Sequence, residues 1–318
     1  MINLITGVAG FVGSHLALKL LQQGHLVVGV DSLTDYYNVQ LKTRRLAVLQ
    51  HFNTFNFHRI CITDLTNLIE ICNTYRPNLI IHLAAQAGVV TDDSRLPYYI
   101  KDNIHGTETV SQLCTYLKIP LIYASSSSVY GDCSNIPFQE QEKKLTPVSF
   151  YAATKLHNEQ FVAFCAKNFG LRAVGLRFFS IYGEDMRPDM AISKFTSAIY
   201  HQTPITLYGD EHTARDFTYI GDVVHAISII AENILSVRQL AQIYNIGHQS
   251  SIPIVEILNI LSRLLGKQTE ILHLPLRAGE VQVTYSDTSR LHRDFNYFPD
   301  TPIEEGLEKY VQWYLGRI

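Results

Sequence analysis

Seven residues near the start of the chain constrain its fold more than any others: Gly7-Val8-Ala9-Gly10-Phe11-Val12-Gly13, a GxxGxxG turn. Ile2 to Thr6 before it reads as a short buried strand, and Phe11 to Gln23 after it carries apolar residues at helical spacing. Glycines here permit a tight turn, close approach of a pyrophosphate and close packing of helix on strand. The helix N-terminus adds N–H groups and the positive end of its dipole. A second strand, Leu26 to Val30, ends at Asp31, where a carboxylate accepts hydrogen bonds from an adenosine ribose. That carboxylate also repels a 2'-phosphate, so NAD is expected rather than NADP. On these residues alone a purely structural strand–helix–strand unit with a capping Asp stays open.

The alternation continues. Phe55 to Ile62 reads as a strand leading to Asp64-Leu65, and Leu65 to Tyr75 as a helix. Asn78 to Leu83 is a strand running into Ala84-Ala85-Gln86, Tyr98 to Leu117 a long helix, and Ile119 to Ala124 another strand. Strands and helices joined by short links mean a parallel sheet covered on both faces, with ligands at the carboxyl ends of the strands. Gly7, Asp31, Asp64, Ala84 and Ser125 converge there. After Gly183 the alternation fades into helices at 191–201, 221–234, 254–265 and 303–314, strands at 205–208, 242–246 and 270–274, and an alternating Val281, Val283, Tyr285. The expected class is α/β: a doubly wound parallel sheet of Rossmann type with a second, smaller α/β substrate lobe. Residues 1–180 are expected to bind NAD and 181–318 the substrate in the cleft between lobes, the chain crossing more than once.

Two stretches carry chemistry. Ser125 to Ser128 place hydroxyls at a strand's carboxyl end, followed by Val129-Tyr130-Gly131; a plain polar turn is the competing reading. Tyr151 and Lys155 stand four apart, one helical turn from each other. An ammonium beside a phenol favours the phenolate, which makes the tyrosine a base near neutral pH. Alone, the pair is equally an amphipathic helix with an exposed Lys. Composition narrows the classes. A net charge of −3 without a basic stripe argues against nucleic acid, and the 13 His show no metal-ligand spacing. Five Cys without a CxxC, in mostly apolar runs, suit free thiols in a reducing compartment. Met1 runs almost directly into a strand and no apolar run is long enough to span a bilayer, so a cytoplasmic chain without membrane segments is expected.

Taken together, the chain resembles the extended short-chain dehydrogenase/reductases, specifically the nucleotide-sugar epimerases. The residues that carry this are Thr6-Gly7-x-x-Gly10-Phe11-x-Gly13, Asp31, His82-Leu83-Ala84-Ala85, Asn103-Ile104-x-Gly106-Thr107, the serines to Tyr130-Gly131, Tyr151-x-x-x-Lys155, Leu176-Arg177-Phe178-Phe179 and Arg215-Asp216-Phe217-Thr218-Tyr219. Asp35-Tyr36-Tyr37-Asn38-Val39 with Leu41-Lys42, Gln86-Ala87-Gly88-Val89, the serine run and Arg187-Pro188-Asp189-Met190-Ala191 are similar to the UDP-glucuronate 4-epimerase branch. The resemblance implies NAD at Gly7, Gly10, Phe11, Val12, Gly13, Asp31, Asp64, Leu65, Ala84, Ala85, Asn103, Tyr151, Lys155 and Phe178. It implies Tyr151, Lys155 and Ser126 as the catalytic set, and Ser127, Ser128 and Ser180 lining the sugar pocket. Arg187 would face a substrate carboxylate, with a loop-anchoring ion pair as the alternative, and Arg215 and Arg277 would meet the diphosphate.

The implied reaction is epimerisation at carbon 4 of a UDP-sugar through a transient 4-keto sugar, UDP-glucuronate to UDP-galacturonate foremost. UDP-glucose and UDP-N-acetylglucosamine are the alternatives, and a non-enzymatic dinucleotide sensor is a third reading disfavoured by the intact Tyr–Lys pair. Ser127 and Ser128 stand where related dehydratases and decarboxylases carry Asp or Glu. Three departures bear on the sugar: Val90 where the branch has Arg, Ser180 where it has Thr, and Glu184-Asp185-Met186 where it has Pro-Trp-Gly. The resemblance also implies a homodimer joined through a four-helix bundle of the helices at Tyr98 and Tyr151, with polysaccharide biosynthesis as the family's usual destination.

Overall fold

The computed structural model of the chain describes residues 1–89, 93–277 and 279–317. Its first half alternates β1 (Ile2–Thr6), α1 (Phe11–Gln22), β2 (Leu26–Val30), α2 (Val39–Leu49), β3 (Phe55–His58), α3 (Leu65–Tyr75) and β4 (Leu79–His82). A short turn, α4 (Leu96–Tyr98), and a π-helical stretch, Tyr99–His105, lead into α5 (Gly106–Leu117). Then come β5 (Leu121–Ser126), α6 (Phe150–Phe169) and β6 (Ala173–Phe178). The remainder supplies β7 (Ser180–Tyr182), α7 (Ala191–His201), β8 (Ile205–Tyr208), β9 (Ala214–Tyr219), α8 (Ile220–Asn233), β10 (Ala241–Ile246), β11 (Ser251–Pro253), α9 (Ile254–Leu265), β12 (Ile271–Leu274), α10 (Ser289–Phe295) and α11 (Ile303–Leu315).

Seven strands make one parallel sheet in the order β10-β6-β5-β4-β1-β2-β3. Successive side chains of a strand point to opposite faces, and the two cores follow that alternation. Ile5, Val27, Ile81 and Ile122 join Leu16 and Leu20 of α1 and Val223 and Ile227 of α8. Their neighbours Leu4, Val28, Ile80 and Leu121 join Leu68 of α3, Leu113 of α5 and Val162 of α6 on the other face. A sheet buried on both sides is what near-continuous apolar strands require. Strand order reverses between β1 and β4, and ligand crevices open at such a point. Residues after 180 also serve this sheet, since β10 pairs with β6 and α8 packs against α1. The smaller lobe holds the sheet β11-β9-β7 and the pair β12-β8.

Three local features differ from the expectations. The helix from Tyr98 to Leu117 opens with a π-helical segment, and its wider turn accompanies Tyr99 and Asn103 pointing into the protein. Val281 to Tyr285 is not a strand: it lies along β9 through an isolated bridge, Val283 with Ala214, and main-chain bonds at Gln282 and Thr284. Helix α2, capped by Asn38 accepting from Gln40 N at 2.9 Å, has no counterpart in the apolar periodicity.

Candidate active site

The carboxyl ends of the central strands and the smaller lobe enclose a cleft of about 640 Å³. At one end the backbone does most of the shaping. Gly7 sits at φ +71°, and a Cβ there would lie 2.7 Å from Ala84 N. A Cβ on Gly13 would lie 2.2 Å from Gly7 O, so α1 butts directly against the turn. The N-cap of α1 is Gly10, without a side-chain cap, which leaves the first-turn N–H groups facing the cleft without a side-chain acceptor. Asp31 accepts from Ala9 N at 3.1 Å and from Leu33 N at 2.8 Å, so the acidic residue both lines the cleft and fixes the glycine turn. Gln86 contributes a buried Oε1 with no partner among the described residues, beside Ala84 and Ala85. A helix end without a side-chain cap, a carboxylate on the wall and an orphaned amide oxygen along one groove fit a dinucleotide.

At the other end side chains converge. Ser149 caps α6 by accepting from Ala152 N at 3.1 Å, which starts the helix just ahead of Tyr151 and sets Lys155 one turn on. Lys155 Nζ lies 5.7 Å from the Tyr151 ring centre and donates to Ala124 O at 2.8 Å. Burial lowers its pKa to about 8, against a raising influence from Glu159. Glu159, a further turn along α6, pairs with Arg177 through Nε at 2.9 Å and Nη2 at 2.7 Å, and accepts from the Ser125 hydroxyl. Ser126 stands near enough to Tyr151 to act on its pKa, and Ser128 donates to Ser126 Oγ at 2.9 Å.

The expectation of a phenolate near neutral pH is not met by the chain on its own. Burial raises the Tyr151 pKa, while Ser126 and the Arg187 charge work in the opposite direction. The ammonium of Lys155 gives one of its three donors to the Ala124 carbonyl and stands 5.7 Å from the centre of the phenol ring.

Arg187 lines the same cleft and forms an ion pair with Asp189, at 2.9 and 3.0 Å, the loop-anchoring contact given above as its alternative reading. Ser127, Ser128, Phe178 and Ser180 line the cleft, as do Arg215 and Arg277 toward the smaller lobe. Arg215 donates to the carbonyls of Ala214 and Gln282, each at 3.0 Å, and Arg277 stacks 4.1 Å over the Tyr208 ring and pairs with Glu280. The acidic pair that replaces Pro-Trp points elsewhere. Glu184 accepts from the Tyr219 hydroxyl at 2.9 Å, and Asp185 pairs with Arg44 at 3.0 Å and Arg317 at 2.8 Å. Val90 lies outside the described residues.

Three expected cofactor residues stand apart from the cleft. Asp64 caps α3, accepting from Asn67 N at 3.1 Å and Asn67 Nδ2 at 2.6 Å, with Leu65 beside it exposed. Because β3 stops at His58, Cys61 and Ile62 take the place on the cleft wall. Asn103 is fully buried and works on the backbone: it accepts from Gln86 N at 2.8 Å and donates to Gln86 O at 3.0 Å and Thr154 Oγ1 at 3.1 Å. Its effect on the cleft is to hold the loop after β4. Lys42, named above only for the resemblance, lines the cleft and donates to Thr34 O at 2.8 Å; Glu159 was missed, and its place two turns beyond Tyr151 was the available signal.

The sequence profile of the NAD dependent epimerase/dehydratase family matches residues 3–247. The chain is 39% identical to Protein CapI of Staphylococcus aureus, over 98% of each chain. It is 39% identical to UDP-glucuronate 4-epimerase of Thermodesulfobacterium geofontis, over 98% of this chain and 95% of that one. Among solved structures, UDP-glucuronic acid 4-epimerase from Bacillus cereus, in complex with UDP-glucuronic acid and NAD, superposes with a TM-score of 0.92 at 31% identity over the whole of both chains.

Proposed function

This chain belongs to the NAD dependent epimerase/dehydratase family, and we propose that within it the protein is the 4-epimerase interconverting UDP-glucuronate and UDP-galacturonate. One observation carries the reading. Tyr151, Ser126 and Arg187 share a cleft with a dinucleotide groove, and the guanidinium is near enough to the tyrosine to influence its pKa. The similarity to relatives named for this activity supports it.

Bound NAD supplies a hydride acceptor and donor for carbon 4 of the sugar, and a positive nicotinamide that favours the phenolate. The chain's own residues do the rest. Tyr151 Oη takes the proton of the 4-hydroxyl, and Ser126 Oγ bonds the same oxygen. Lys155 holds positive charge beside the phenol. Once the 4-keto sugar has turned over in the cleft, Tyr151 returns the proton to the same oxygen on the new epimer. Arg187 matches the two oxygens of a uronate carboxylate with paired N–H donors. That contact matters because a 4-keto uronate is a β-keto acid, prone to losing carbon dioxide. In this reading the UDP-sugar lies with its diphosphate toward Arg215 and Arg277 on the side of the smaller lobe, and NAD lies along the carboxyl ends of the seven-stranded sheet.

A second copy of the chain is proposed to cover the exposed apolar side chains of the 98–117 and 150–169 helices, Tyr98, Ile100, Tyr116, Phe150, Phe164 and Phe169, as a four-helix bundle in a cytoplasmic dimer. Among the described residues no helix is long and apolar enough to cross a membrane.

The test is to incubate the purified protein with UDP-glucuronate, without added cofactor, and separate the uronate products. UDP-galacturonate is expected, and Tyr151→Phe should abolish its formation while leaving NAD content unchanged. A pentose nucleotide as the main product would defeat the role given to Arg187. Turnover of UDP-glucose or its N-acetyl analogue alone would overturn the substrate.

A further inference from the structure

Arg187 does not enter the cleft as a loose cation. Its Nε donates to Asp189 Oδ1 at 2.9 Å and its Nη2 to Asp189 Oδ2 at 3.0 Å, a bidentate pair between residues two apart on one loop. The turn that joins them is closed by Met190 N donating to Arg187 O at 3.2 Å and contains Pro188, whose φ is fixed by its ring. Arg187 is the inner member, 19% exposed against 40% for Asp189. The guanidinium carbon lies 5.9 Å from the centre of the Tyr36 ring, and the Tyr36 hydroxyl is anchored on Ala87 O. A guanidinium presents its donors in a rigid planar fork. With the Nε–Nη2 edge held by Asp189, the edge formed by Nη1 and the second N–H of Nη2 meets no acceptor among the described residues and is left for a ligand.

We propose that Asp189 is a positioning residue that fixes the guanidinium of Arg187, so that its free edge meets the carboxylate on carbon 6 of the sugar at one place. This rests on the uronate reading above. Without that anchor the long Arg side chain samples several rotamers, and each costs the bidentate match. The consequence reaches the chemistry. In a 4-keto uronate the C5–C6 bond breaks with its electron pair flowing to the C4 carbonyl as an enolate, carbon dioxide leaves, and the enolate takes up a proton. That loss needs the C5–C6 bond to stand perpendicular to the carbonyl plane. A carboxylate held at one fixed place keeps carbon 6 out of that alignment. The opposite role for Asp189, a competitor whose negative charge repels the substrate, makes the opposite prediction.

The experiment uses full-length Asp189→Asn protein with its NAD content verified. Turnover of UDP-glucuronate is followed together with inhibition by UDP-glucose, so that the neutral sugar need not itself be turned over. Expected is a fall in kcat/KM for UDP-glucuronate of about tenfold or more, the loss of roughly one charge-assisted contact. The KM should rise, a larger share of pentose nucleotide should appear, and the UDP-glucose inhibition constant should stay within about twofold. Asp189→Glu, which keeps the charge, should recover part of the loss. An unchanged or lowered KM for UDP-glucuronate overturns the proposal in favour of a competitor, and equal weakening of both sugars reduces Asp189 to a structural residue. If the unaltered protein does not turn over UDP-glucuronate, the uronate reading has failed and this inference falls with it, a result distinct from either variant outcome.

Discussion

The two ends of the cleft are made of different material. At the dinucleotide end the shape comes from main chain: a turn at φ +71°, a helix end with no side-chain cap, and close approaches that leave no room for a Cβ. At the other end it comes from side chains: Tyr151 and Lys155 from α6, the serines after β5, and Arg187 held by Asp189 on a loop whose start, Asp185, is tied by arginines from two distant parts of the chain. A site of backbone fails abruptly when it is altered, because main chain cannot step aside. A site of paired charges yields by degrees, because each pair is one contribution among several.

The steepest test of that contrast is Gly13→Ala. The added Cβ would lie 2.2 Å from Gly7 O and 3.0 Å from Val8 Cα, contacts that only a shift of α1 or of the turn relieves. Protein purified from this variant should carry little or no NAD, read from the nucleotide released on denaturation, and a normal NAD content would refute the claim that close backbone approach shapes this end. Losing a rigid backbone contact is expected to cost more than removing any single charge at the sugar end.

Glu159→Gln probes the boundary between the two ends. Arg177, 3% exposed, would lose its carboxylate, and stranding one member of a buried pair costs about 3–5 kcal/mol. The pH profile supplies a second reading. Lys155 carries its charge below a pKa of about 8 and loses it as pH rises through that value, so turnover that depends on the cation should fall on the alkaline side. The Glu159 carboxylate raises that pKa; removing it should move the alkaline limb of kcat to lower pH. A limb that stays in place would separate Glu159 from Lys155 and leave it a structural group.

The same contrast explains what could be read from the sequence. Strand and helix periods gave the parallel sheet, and the glycine turn with Asp31 gave the dinucleotide end, because backbone geometry restricts residue type locally. Helix α2 escaped because its inward face carries Lys42 and Arg45, both buried, so no apolar stripe marks it. The π-helical turn escaped because its apolar spacing resembles an α-helix closely enough over seven residues. Asp64 was misplaced by one short stretch of chain, since β3 ends at His58 and the cleft wall is reached at Cys61. At the sugar end Tyr151, Lys155 and the serines were legible as a spacing. The partners of Asp185 were not, since Arg44 and Arg317 stand 141 and 132 residues away from it.

The gentlest test falls on that last contact. Asp185 sits at φ +56° at the start of the loop that carries Arg187, and Arg45 donates to its carbonyl while also reaching Ala9 O in the glycine turn at 3.0 Å. The loop at the sugar end is therefore tied to the backbone end through one buried guanidinium, with Arg44 and Arg317 as outer ties on the carboxylate. Arg317 is 35% exposed and shares its partner with Arg44, so solvent screening and redundancy both reduce its weight. Arg317→Ala should lower stability by no more than about 1 kcal/mol and leave NAD content intact. Its mark should fall on the sugar end alone, as a KM for the UDP-sugar raised by about twofold with kcat nearly constant, the signature of a loosened binding loop. A loss of NAD from this variant would mean that the outer ties hold the glycine turn as well, and that the two ends are one mechanical unit.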